Sequence, residues 1–158
     1  MAATVVVLAM PACAVHGLSF KADRRVDITA PSDRAQVRLP VTVEWTVKQF
    51  PVGDGAGAFG VYLDRSPQPS GKTQAWLFRG DSGCKGVGAP VCAAAPYLNG
   101  HNVFRTTDRS FTVVQVARLL GNDRRRQFHE VTVVLLDAGG RRAGEGAWSV
   151  QFEVKRLS

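Results

Sequence analysis

From Val26 onward, apolar and polar residues alternate in short runs broken by turn-forming residues, and little of the chain repeats at helical spacing. Val26 to Thr29 is a first predicted strand, stopped by Pro31-Ser32-Asp33. Ala35 to Leu39 is expected to continue that edge, with Pro40 placed as prolines are at edge strands. Val41 to Val47 alternates most cleanly: Val41, Val43, Trp45 and Val47 point one way, with Thr42, Glu44 and Thr46 between them. Phe59 to Asp64 follows a Gly-rich turn and turns Phe59, Val61 and Leu63 inward. Ser66 to Gly71, with two prolines, breaks it, and Thr73 to Arg79 is a further β-prone run around Trp76 and Phe78. Gly80 to Gly100 is the longest irregular stretch, and a loop of that length in a compact domain is usually functional or stapled. Asn102 to Thr107 and Ser110 to Val114 read as strands on either side of Asp108-Arg109, and Val116 to Leu120 fits a strand or one helical turn. His129 to Leu136 then enters the turn Asp137-Ala138-Gly139-Gly140, whose glycines can take the positive φ that hairpins demand. The return strand, Ala147 to Val154, places Trp148, Val150, Phe152 and Val154 on one face. Trp45 and Trp148 are both expected between the sheets.

Seven or eight short strands over about 130 residues predict an all-β fold, an antiparallel sandwich, with no internal repeat. Two stretches carry a more specific likeness. Val41 to Val47 sets a Trp late in an alternating second strand, and His129 to Val133, Asp137 to Gly140 and Gly146 to Ser149 form a final hairpin with Asp-x-x-Gly and Trp-Ser. The segment from Val26 to Val154 thus resembles fibronectin type III and bacterial immunoglobulin-like domains. His129 stands where those domains often carry a corner tyrosine. The resemblance implies an immunoglobulin-like β-sandwich and leaves function open, because one fold hosts many functions.

The chain is expected to divide into a signal segment (1–12), a tether (13–25) and the sandwich domain (26–156). Met1 to Ala12 is uncharged and apolar, too short to span a bilayer and suited to the apolar region of an export signal. It ends in Met10-Pro11-Ala12-Cys13, which resembles a bacterial lipobox, so Cys13 is a candidate lipid-attachment residue. Pro11 is unusual there, and no basic residue follows Met1. Ala12-Cys13-Ala14 also satisfies ordinary signal peptidase, which would release a secreted protein, and Thr4 to Leu8 would serve as a buried strand. With Cys13 set aside, Cys84 and Cys92 remain in the long irregular stretch, and an even pair in an exported chain reads as a disulfide. Two free thiols are the alternative. The spacing lacks the C-x-x-C and paired His of a zinc site.

The 158 residues suffice for a single-domain core, and 45% apolar against 21% charged excludes a disordered chain. The net charge of +7 invites an anionic partner, but the basic residues are scattered and mostly Arg. Arg124-Arg125-Arg126 is the single run of three, without interleaved aromatics, so no sequence-specific nucleic-acid face is expected.

Three familiar motifs fail on their chemistry. Gly80-Asp81-Ser82-Gly83 resembles a serine-protease nucleophile loop, yet the one upstream histidine is His16, in the tether. Ser70-Gly71-Lys72-Thr73 ends like a P-loop but has Ser66 where the first Gly belongs. His129-Glu130 opens a zinc-protease motif that Val133 breaks. No catalytic residue, metal ligand or cofactor is predicted. Candidate binding residues are Asp64 and Arg65, as a pair at the sandwich end, and Trp76, Phe78 and Tyr97, as an aromatic patch beside the long loop; an ion pair and core packing are the plainer roles for each set. The expected function is a non-enzymatic module, tethered to the membrane by lipid, that binds a protein or cell-wall component. The alternative is an accessory domain or small enzyme acting on envelope carbohydrate through Asp64, Asp81, Asp108 and His101, which would require two carboxylates roughly 5 to 10 Å apart.

Overall fold

The computed structural model describes residues 24–84, 89–117 and 128–155. Cys13, the expected signal segment (1–12), nearly all of the expected tether (13–25) and Arg124 to Arg126 lie outside them. Eight strands form: β1 (Val26–Ala30), β2 (Ala35–Val37), β3 (Val41–Val47), β4 (Ala58–Leu63), β5 (Val103–Thr106), β6 (Ser110–Val113), β7 (Phe128–Leu136) and β8 (Trp148–Val154). They make a three-stranded sheet ordered β1-β3-β6 and a five-stranded sheet ordered β2-β8-β7-β4-β5. The architecture is an all-β immunoglobulin-like sandwich, antiparallel except where β2 runs parallel to β8.

The alternation read in β3 is what fills the space between the sheets. Val43 and Trp45 are buried, while Thr42, Glu44 and Thr46 face water. Opposite them stand Phe59, Val61 and Leu63 of β4, Val131, Val133 and Leu135 of β7, and Val150 and Phe152 of β8. Trp45 meets Phe59 edge to face at 5.3 Å, the geometry that aromatic quadrupoles favour.

Several expectations are corrected. β2 does not continue the edge of β1: the chain crosses to the other sheet at Asp33 and Arg34, where Arg34 takes a φ of 59° and donates its N–H to Gln151 at 2.7 Å. Asp33 Oδ1 accepts the Gln151 N–H at 3.0 Å, and Pro31, lacking a donor, cannot extend β1. Thr73 to Arg79 is not a strand but contains a 3-10 helix, Gln74–Phe78. Here packing overrides β propensity, because the helical turn drives Phe78 (0% exposed) and Gln74 down onto the sheet. Gly80 to Gly100 is not wholly irregular, for it holds two short helices, α1 (Ala89–Ala93) and α2 (Ala95–Gly100). Gly140 takes the positive φ of the last turn (73°) and Gly139 does not. Of Val116 to Leu120, only Val116 and Ala117 are described, and both are irregular.

Trp148 is the last correction. It faces the core side of β8 but pairs with Val133 at the strand's first residue, so it packs against the core while staying half-buried. Trp45→Ala should therefore cost ~3–5 kcal/mol and Trp148→Ala about 1–2 kcal/mol. Urea unfolding of the two variants checks the ranking, and equal losses would put Trp148 as deep as Trp45.

Candidate functional site

β4 is buried on both faces, and so is β7 beyond Glu130. Every residue of β4, and Val131 to Leu136 of β7, is buried. The outer cover comes from the described part of the connection between β4 and β5, residues 64–84 and 89–102, which folds back over the five-stranded sheet. Under it lies a second apolar cluster of Ala58, Tyr62, Phe78, Cys92, Leu98, Val103, Val134 and Leu136.

Asp64 starts this connection, and the structure gives it a framework task. Its φ of 52° is left-handed, a conformation aspartate tolerates better than most residues. Oδ1 accepts the Glu130 N–H at 2.8 Å, and Oδ2 accepts from Nδ1 of the buried His129 at 2.7 Å. The histidine at the corner position thus makes its tie to the carboxylate that ends β4. Arg65 goes elsewhere: its guanidinium lies 4.6 Å from the centre of the Phe78 ring, as a lid on the second cluster.

Of the aromatic candidates, Phe78 and Tyr97 meet edge to face at 5.2 Å, and His101 stacks on Tyr97 at 4.4 Å. Trp76 is half-buried beneath the Arg79 guanidinium, 3.4 Å away. The structure therefore joins Arg65, Phe78 and Tyr97, while Asp64 is held by β7 and Trp76 by Arg79. The Tyr97 hydroxyl donates to Asp81 at 3.0 Å. Partial desolvation, reinforced by that carboxylate, raises the phenol above its ordinary pKa. Asp108, in the β5–β6 turn, donates its backbone N–H to Thr106. Asp64, Asp81 and Asp108 thus serve three separate places, and among the described residues no cluster of three or more His, Cys, Asp or Glu is placed to hold a metal ion.

Buried polar groups fix the depth of the cover. The Tyr62 hydroxyl donates to Gln68 Oε1, and burial pushes its pKa up to about 12 against the opposing pull of Gln74, Gln68 and Arg142. Gln74 Nε2 donates to the Phe104 carbonyl at 2.9 Å, and Arg142 donates to the Gln68 carbonyl at 2.8 Å. The Cys84 and Cys92 sulfurs lie at bonding distance, 1.97 Å, with Cα atoms 5.9 Å apart. This pair closes the 3-10 segment Ser82–Cys84 onto α1.

At the end of the cover nearest the β7–β8 turn, packing stops short and leaves a cleft of about 500 Å³. Thr73, Gln74 and Ala75 form one wall, Ala93, Ala95, Leu98 and Asn99 another, and Arg105, Gly139 and Gly140 complete the lining. Such a volume is ordinary for a small-molecule site. Sequence reading missed all of these residues. The signals were present: an Ala-rich run beside Cys92, and an Arg two residues after Val103 on the same strand face. Asn99, with its amide nitrogen turned to the carbonyls of Ala95 and Val103, 3.3 Å from each, ties α2 to β5.

No protein-family model and no curated protein matches the chain. Among solved structures, it is similar to a chain described as Clostridium thermocellum CbhA fibronectin(III)-like modules, at 13% identity and a TM-score of 0.40, covering 82% of this chain and 96% of that one. The sandwich assignment rests on the sheets themselves.

Two outcomes follow from this geometry. Asp64→Ala leaves His129 and the Glu130 N–H without their acceptor and should cost about 2–4 kcal/mol, whereas Asp64→Asn keeps the backbone tolerance and one acceptor and should cost at most half as much in chemical denaturation. A near-neutral Asp64→Ala would remove its framework role. Alkylation of the unreduced protein should leave Cys84 and Cys92 unlabelled, and reduction should cost no more than roughly 2.5 kcal/mol by the entropy of so short a loop.

Proposed function

We propose that this chain is a non-catalytic, extracytoplasmic binding module that holds a protein or cell-envelope component on the face built by residues 64–84 and 89–102. The observation that carries the reading is the cleft: it lies between that cover and the sheet, walled by small side chains and open to a guanidinium. The polar groups that a hydrolytic enzyme would need as acid and base have other tasks here. Asp64 secures His129, and Asp81 holds Tyr97. The cysteine pair at bonding distance supports an oxidising compartment. Among the described residues no helix is long and apolar enough to cross a membrane. In this reading lipid on Cys13 supplies attachment, since two acyl chains anchor stably where one does not.

The test uses the protein displayed on its native envelope. Filling the cleft with Ala95→Trp should lower retention of the envelope partner at least tenfold in a competition pull-down, with the melting temperature checked in parallel. Equal retention by a folded filled variant would move binding off this face. Detergent-phase partitioning should follow the wild type and be lost in Cys13→Ala; a wild type already in the aqueous phase, with Val15 at its N-terminus, would make the protein a secreted one.

A further inference from the structure

We infer that the cleft takes a carboxylate carried on a small apolar body, with Arg105 as the group that holds the anion. This rests on the binding-module reading and names the chemistry of its ligand. Arg105 is paired across the sheet with Gly60, which has no side chain to meet it. Its outward-facing position is shared with Val103, which is buried in the second cluster, so the guanidinium stem leaves from the same face the cover lies on.

The guanidinium reaches the β7–β8 turn. A side chain at Gly140 would bring its Cβ to 3.2 Å from Arg105 Nη1, and Gly140 has a φ of 73°, so the turn both requires glycine and makes room for the cation. Among the described residues, no carboxylate pairs with Arg105. Asp137, the acid of that turn, is engaged by the Arg141 backbone N–H at 2.8 Å. Arg141 lies across the bridge to Thr73, a wall residue, and turns its guanidinium to the Gly71 carbonyl, so Arg105 is the cation that lines the cleft itself. A guanidinium can meet a planar two-oxygen anion with parallel N–H donors.

The rest of the cleft sets the body of the ligand. Ala75, Ala93, Ala95 and Leu98 offer short apolar walls. A volume of about 500 Å³ leaves room for carbon-rich groups beside the carboxylate. The C-terminal end of a peptide with small side chains and a free short aliphatic acid both meet these terms.

The experiment titrates the full 158-residue chain with three probes: N-acetyl-alanyl-alanine, its C-terminal amide, and hexanoate. Binding is read by calorimetry and by the Arg105 side-chain NMR signal. At least one acid should bind, at least tenfold more tightly than the amide, and weaken as salt is raised. Arg105→Gln should lose at least tenfold for that acid and leave the amide unchanged. Arg105→Lys should fall between the two. Arg105 is exposed, so wild-type melting is expected for both variants. Preference for the dipeptide identifies a peptide end as the source, and preference for hexanoate identifies a free acid. Equal binding of acid and amide, no binding of either acid, or an unchanged Arg105→Gln overturns the assignment. If the Ala95→Trp pull-down still shows cleft-dependent capture in that case, the module reading stands and the carboxylate alone fails; if capture is also insensitive, both fail.

Discussion

Strands β4 and β7 carry apolar side chains on both faces, and a sheet built around such a pair has to be covered twice. The three-stranded sheet covers the inner face through Val43, Trp45 and Val113. On the outer face, Tyr62, Val134 and Leu136 would otherwise meet water, and burying each such side chain stabilises by roughly 1.5–3 kcal/mol. Residues 64–84 and 89–102 exist in their observed shape because that outer face needs them. Their own elements are too short to hold alone, since isolated helices of under about 12 residues are marginal in water. The cover and the sheet therefore stabilise each other, and a cleft between them depends on both.

Such a cover needs fixed points, and polar contacts supply them. Asp64 is held to β7 as the chain leaves β4, while Asn99 ties α2 to β5 as it returns. Between these, Gln68 and Gln74 set down on Tyr62 and Phe104, and the cysteine pair closes the middle. An unpaired buried polar group costs about 1–3 kcal/mol, so these pairings matter, although Gln68 Nε2 and Arg142 Nε make no hydrogen bond among the described residues. Tyr62 can lie across the sheet because its neighbour on the same face is Gly60, where a Cβ would come within 2.9 Å of the tyrosine hydroxyl.

The sandwich was legible in the sequence where one face of a strand is wet. β3 and β8 alternate, and Val43, Trp45, Val150 and Phe152 are where that alternation puts them. It was less legible where both faces are dry. The run Val131-Thr132-Val133-Val134-Leu135-Leu136 is nearly continuous in apolar residues, which is the mark of a strand buried on both sides. That mark implies an outer cover, but the cover itself has no period to read: it presents Phe78, Cys92 and Leu98 from three separate turns. The β-prone residues around Trp76 became a helical turn for the same reason, as the sheet required Phe78 more than it could use another strand. Of the candidate binding residues, Arg65, Phe78 and Tyr97 come together as the lid of this cluster. The cleft residues stayed hidden, because alanines and glycines announce no chemistry until a cation is placed beside them.

Where the cleft lies follows from where large side chains run out. Over the middle of the sheet, Phe78, Leu98 and Tyr62 fill the space between cover and strands. Toward the β7–β8 turn the sequence supplies Gly139 and Gly140 in the turn, and Ala75, Ala93 and Ala95 in the cover. Native cores close such gaps, since a void deprives its lining atoms of their contacts. Here the gap is instead bordered by a guanidinium whose own cross-strand partner is a glycine. A buried-side void lined by alanines alone would be a packing fault with no preference for any occupant. A void with one cation at its mouth, and glycine where any larger residue would displace that cation, distinguishes between occupants by charge.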